Sequence, residues 1–266
     1  MKLKAWLKHY FLDAPIIFSL GNNDAFVHDA FLPGPNDALN VLGKIWLDEF
    51  DSECIESFRK GGYWSIWIGP TVKVISLNTL YFFKNNFLSM DCESEASPGS
   101  LQISWLESEL SEIGSKDAKA IIIGHIPPIK VFFHETCLKH YLNVIQTYSE
   151  VISYQSFGHI HMDDLFILKN QGISIGFCLV SPALSTVFNP SYRIYEISSS
   201  NGSLINYHQY YATLQDSALQ FRKEYSCQEA FGNGQLNFEY FVNLKLREEQ
   251  SSYLRIKRKR FKFVRY

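Results

Sequence analysis

Apolar, β-branched and aromatic residues gather in short runs spaced widely along the chain. Residues 16–20, 63–68, 72–77, 120–123, 152–157, 173–180, 193–197 and 204–210 read as strands. Between them lie patterns of helical period. Leu101, Trp105, Leu106, Leu110 and Ile113 share one helix face behind a Ser97-Pro98 start, and Leu138, Leu142, Ile145 and Tyr148 mark a second helix. Strands alternating with helices through the first 160 residues or so predict an α/β fold. The later strands follow one another closely, which predicts a mixed or antiparallel continuation. From about residue 214 the pattern turns polar and helical. The expected division is a main domain over 1–212 and a helical appendage with a basic tail over 213–266.

Hydrophobic residues at 46% and charged residues at 20% are ordinary globular values, so disorder and coiled coil are excluded for most of the chain. The net charge of −2 favours no polyanion overall, and no nucleic-acid partner is expected. The charge is uneven, however. Arg255, Lys257, Arg258, Lys259, Arg260, Lys262 and Arg265 put +7 into the last twelve residues, leaving −9 for the rest. That tail reads either as a solvated end or as a binder of a polyanionic chain, a lipid surface or nucleic acid. No apolar run reaches the ~18 to 20 residues that cross a bilayer, and the first twelve residues lack the pattern of a signal peptide. The five cysteines are too dispersed for a CxxC zinc site.

Candidate chemistry lies in three segments of one design. Gly21-Asn22-Asn23-Asp24, Gly124-His125 and Gly158-His159-Ile160-His161 each follow a predicted strand and open with Gly. Ligands in open α/β sheets gather beyond the carboxyl ends of strands, where Gly permits the sharp turn that aims a side chain into the cleft. Taken singly, each segment also reads as a turn or a structural histidine. Taken together, three imidazoles (His125, His159, His161) and the Asn22 amide oxygen form one divalent-metal donor set.

These segments, GNND, GHIPP and GHIHMDD, resemble the later motifs of the calcineurin-like metallophosphoesterases, in the branch of acid sphingomyelinases and fungal endopolyphosphatases. The flanks agree over about 200 residues: SLGNNDAFVHDAFLPGP from Ser19, SLNTLYFFKNN from Ser76, Asp91-Cys92, Pro98-Gly99, SPALSTVFNPSYRIYE from Ser181 and HQYY from His208. GNND, where most relatives have GNH[DE], is typical of endopolyphosphatases. The resemblance implies a β-sandwich flanked by helices, two divalent metal ions, and hydrolysis of internal phosphoanhydride bonds of inorganic polyphosphate. It also implies a vacuolar location through a membrane tether that this chain does not show.

Carried over by position, Asn22, His125 and His159 resemble ligands of the second metal, and His161 resembles a ligand of the first. Asn23 stands where most relatives place a His that protonates the leaving oxygen. An amide cannot donate that proton; it only hydrogen-bonds. A phosphoanhydride leaves as phosphate, a far weaker base than an alkoxide, so polyphosphate tolerates Asn23 better than a phosphodiester does. His28 matches an endopolyphosphatase His that contacts substrate phosphate or orders the loop. A Cys92–Cys137 bridge and glycosylation at Asn201-Gly202-Ser203 fit a lumenal relative, and Asp163 and Asp164 are read as orienting an imidazole or capping the next strand.

One departure is large. The family's Asp-x-His and Gly-Asp motifs, which precede the GN segment, have no counterpart in the twenty residues before Gly21. The first strands of the fold, the bridging carboxylate and two ligands of the first metal are therefore expected to be missing. Four neutral ligands offset the charge of two dications poorly, so at most one weakly held ion is expected. The alternatives to a polyphosphatase are a sphingomyelinase-type phosphodiesterase and a non-catalytic polyanion-binding relic.

Overall fold

The computed structural model describes residues 2–12, 14–89, 91–185, 188–215 and 218–250. The elements most concerned with the site are β1 (Trp64–Trp67), β2 (Val72–Ser76), β3 (Lys119–Ile123), β4 (Ile152–Phe157), β5 (Asp164–Asn170) and β6 (Ile173–Val180). Among the described residues they form one mixed sheet in the order β1-β2-β3-β4-β6-β5, with β2, β3, β4 and β6 mutually parallel. β7 (Ser191–Ile197), β8 (Leu204–Tyr211) and β9 (Arg222–Ser226) form a second, antiparallel sheet.

Residue alternation explains the layering. On β2, β3 and β6, the side chains of Val72, Val74, Ile121, Phe177 and Leu179 meet Leu204, Tyr207 and Tyr225 of the second sheet. Their neighbours Ile75, Ala120, Ile122, Cys178 and Val180 point the other way, into a core shared with α4 (Pro98–Ser115) and α5 (Glu135–Thr147). A parallel sheet buried on both faces needs apolar residues at both phases, which is why these strands read as continuous apolar runs. Ser97 caps α4 through its side chain, which accepts from the Ser100 amide, with Pro98 at the first helical position. Cys92 and Cys137 form a disulfide that ties the start of α4 to α5.

Two expectations need correction. Residues 16–20 are extended but join no ladder. The Phe18 carbonyl instead accepts from the Trp64 indole at 3.1 Å and the Ser76 hydroxyl at 2.7 Å, so side chains provide the partners a strand would have provided. The stretch after 213 is not wholly helical. Residues 222–226 pair with β8 as β9, ahead of α6 (Cys227–Phe231) and α7 (Phe238–Gln250). Pairing across β8 overrides the local polar pattern, as tertiary context commonly does for strands. Tyr225, Cys227, Leu236 and Phe241 sit in the core between the sheets. The basic tail lies outside the described residues. The amino-terminal third also carries α1 (Lys2–Tyr10), α2 (Asp37–Trp46) and α3 (Ser52–Gly61), joined by irregular segments.

Candidate metal centre

The loops after β3 and β4 bring His125 and His159 side by side. Ring centroids lie 5.2 Å apart, and His159 Nδ1 is 3.3 Å from His125 Nε2. The Gly124 amide donates to Ser156 O at 3.1 Å and the Gly158 amide to His125 O at 2.9 Å, so the two loops are laced together by their backbones. Glycine is required at Gly124. A Cβ there would meet Phe157 and the Thr79 methyl at 2.8 Å. Phe83 and Phe132 pack edge-on against the His159 ring at 5.3 and 5.0 Å.

The third segment closes on this pair from outside the sheet. Gly21 lies against the His125 ring, where a Cβ would approach Nδ1 to 3.2 Å. Residues Asn22–Asp24 form one 3-10 turn, held by the Gly21 amide donating to Asp24 Oδ2 at 2.8 Å. Asn22 is buried, and its Oδ1 sits 2.6 Å from His125 Nε2. Its Nδ2 donates to Asp29 Oδ1 at 2.8 Å and faces His28 Nε2 at 3.1 Å. His28 Nδ1 is in turn 3.2 Å from Asp29 Oδ1. The carboxylate thus fixes which way the Asn22 amide points, with its oxygen toward the imidazoles.

Electrostatics keep the imidazoles neutral. Burial pushes the His125 pKa down to about 4, with His159 and His161 adding repulsion and Asp29 opposing. Burial likewise lowers His159, against the pull of Asp29. A neutral ring keeps one nitrogen lone pair for a metal. Two nitrogen ligands about 2.0–2.1 Å from one tetrahedral ion stand about 3.4 Å apart, close to the His125–His159 spacing. The amide oxygen adds a third donor. The imidazole pair fits a divalent transition metal, whereas the Asn22 oxygen, hydrogen-bonded to His125 Nε2 at 2.6 Å, has to part from that nitrogen before both can serve one ion. Among the described residues, no three His, Cys, Asp or Glu side chains are grouped to hold one, so the Asn22 amide is needed to complete it.

Of the six residues singled out from the sequence, Asn22, His125, His159 and His28 form one contiguous chain of contacts. His161 is near enough to depress both other imidazoles but makes no direct bond to them among the described residues. Asn23 is exposed on the turn. His159, His161 and Asp29 have φ of 69°, 59° and 68°, left-handed values that cost roughly 1–3 kcal/mol each where Cβ is present and that cluster at functional sites. Asp164 caps β5 by accepting from the Leu165 amide at 2.8 Å. Asp163 instead reaches the second sheet. Sequence reading missed Asp29, a carboxylate beside the donor set, because nothing local distinguishes it from a solvated loop residue.

The sequence profile described as calcineurin-like phosphoesterase matches residues 1–163, more than half of the chain. The chain belongs to that family. An endopolyphosphatase of Neurospora crassa is 35% identical over 170 residues, covering 62% of this chain and 23% of that protein. Sphingomyelin phosphodiesterase A of Dictyostelium discoideum is 31% identical over 238 residues, covering 85% and 41%. The chain therefore spans less than half the length of these relatives. Among solved structures, a dimetal phosphatase from Danio rerio aligns with a TM-score of 0.38 at 11% identity, covering 71% of this chain and 62% of that one. Within the calcineurin-like phosphoesterases, divalent metal ions are the expected cofactors.

Proposed function

We propose that the chain is a metal-dependent hydrolase of phosphoanhydride bonds in inorganic polyphosphate. One observation carries the choice of bond: the exposed residue next to the buried ligand Asn22 is Asn23, an amide with no proton to give. Cleavage of an anhydride expels phosphate, which leaves without protonation, whereas a phosphodiester expels an alkoxide that needs an acid. The likeness to endopolyphosphatases supports the same choice.

In this reading Asn22, His125 and His159 hold the ion, His161 joins them only once its loop closes further, and Asp29 keeps the Asn22 oxygen aimed at the ion. When bound, a divalent ion supplies Lewis acidity toward water and toward the phosphate oxygens. His28, with a side chain 64% exposed beside Asn22, meets the incoming phosphate. Asn23 hydrogen-bonds the bridging oxygen without transferring a proton. With only neutral donors and one nearby carboxylate, the site takes one ion.

A phosphodiesterase reading is the alternative, because the sphingomyelin phosphodiesterases match further along the chain than the endopolyphosphatases do. The deciding experiment incubates the purified chain, loaded with Mn²⁺ or Zn²⁺, with long-chain polyphosphate and separately with sphingomyelin. We expect shortened polyphosphate on a gel and its loss in His125→Ala. Sphingomyelin cleavage without polyphosphate shortening would transfer the assignment to the phosphodiesterase. Inertness toward both, with polyphosphate still retarding the protein on a gel, would leave a binding protein.

A further inference from the structure

The family match ends at Asp163, yet the loop carrying His159 and His161 is gripped from both ends by residues beyond it. At its start, Ser156 Oγ lies 3.1 Å from the hydroxyl of Tyr195 on β7, which also meets Ser181 Oγ at 3.0 Å. At its end, Asp163 Oδ1 accepts from Arg193 Nη2 at 2.6 Å, and Asp163 Oδ2 accepts from the Tyr225 hydroxyl of β9. Arg193 is the hub. Its side chain is 1% exposed, its Nε donates to Gln209 Oε1 at 3.0 Å, and its guanidinium stacks 4.5 Å from the Tyr207 ring centre.

The stretch between those grips holds the two left-handed histidines. Backbone in that region persists only when its surroundings over-determine it. On the β6 side the pairing is short: β4 and β6 are in register only at Ser156–Leu179 and Phe157–Val180. We propose that Arg193 and Tyr225, acting through Asp163, are positioning residues that hold the His159-x-His161 loop in its metal-ready conformation. Both reach the loop through the Asp163 carboxylate. The second sheet thus does more than cover the first: it orients two donors of the site. This inference rests on the proposed metal centre for its effect on affinity, but not for its effect on the loop.

The test uses the full chain with Tyr225→Phe, which removes one bond and little volume, and Arg193→Lys as a second variant. Tyr154→Phe, buried between the same sheets but not bonded to Asp163, is the control. Hydrogen exchange of residues 158–163 is read in the metal-free protein, and Zn²⁺ affinity by competition with a chromophoric chelator. We expect faster exchange confined to 158–163 and a 10- to 100-fold loss of Zn²⁺ affinity, the range for partners of metal ligands. The control should change neither. Unaltered exchange at 158–163 in Tyr225→Phe and Arg193→Lys, or an equal change in the control, overturns the proposal. If the parent protein binds no Zn²⁺ while the loop still responds, the positioning stands and the metal reading fails.

Discussion

The loop that carries His125 and the loop that carries Asn22 and His28 face each other across one site, but they are made differently. His125 is followed by Ile126, Pro127 and Pro128, all buried, and the Ile126 amide is bonded to Thr79 Oγ1 at 2.8 Å. Ile126 belongs to the same core as α5 and the Cys92–Cys137 bridge. Asn22 is followed by a turn in which Phe26 is 98% exposed, Val27 59% and the His28 side chain 64%. One wall is core that happens to end in an imidazole; the other is a surface loop that buries a single amide. The contrast divides the labour. Desolvation on the inner wall lowers the pKa of His125 and His159, while the outer wall lies largely in solvent.

The sharpest way to break this contrast is to loosen the inner wall from behind. Replacing Cys92 and Cys137 by Ser opens a 45-residue loop, and chain entropy predicts a loss of about 4 kcal/mol in guanidinium denaturation. A loss below about 1 kcal/mol would show that the inner wall does not depend on the bridge. Next in size is the donor set. Asn22→Ala or His125→Ala should each weaken Zn²⁺ binding at least about 100-fold, roughly 2.7 kcal/mol, in chelator competition. Retention of parental affinity would dissolve the site.

Acid provides the third test. His125 has a folded pKa of about 4, below its unfolded value, so between pH 6.5 and 4 the unfolded chain binds a proton that the folded one refuses. Its contribution is complete above pH 6.5 and is lost as pH falls toward 4, by roughly 2–3 kcal/mol after allowance for partial exposure. His159, shifted in the same direction, adds to it. Denaturant titrations of metal-free protein at pH 7 and pH 4.5 measure this, and the difference should shrink in His125→Leu. The smallest effect belongs to the outer wall. Phe26→Ser should change stability by less than about 0.5 kcal/mol, because an exposed ring buries nothing. A loss of 2 kcal/mol or more would mean that the outer loop is packed after all.

Much of this molecule is written locally. The strand at 120–123 is readable because both of its faces are covered, which makes every position apolar. The start of α4 is readable because Ser97 and Pro98 satisfy or remove its free amides. The Gly-Asn and Gly-His segments are legible because a turn at a strand end needs small residues, and a donor placed there has few other uses. By contrast, the run at 16–20 has the pattern of a strand but finds only side-chain partners. Residues 222–226 lack a strong strand pattern yet are claimed by β8.

The sequence by itself determined the family and the alternation of the main sheet, and it pointed to the candidate donors, since each depends on patterns within a few residues. Only the tertiary structure decided that Asp29 orients Asn22, that burial strips His125 of its proton, and that Arg193 and Tyr225 meet at Asp163. Asp163 and Tyr225 are 62 residues apart. No local pattern encodes such a meeting, because hydrogen bonds and desolvation depend on what the fold brings within a few ångströms, whatever the distance along the chain.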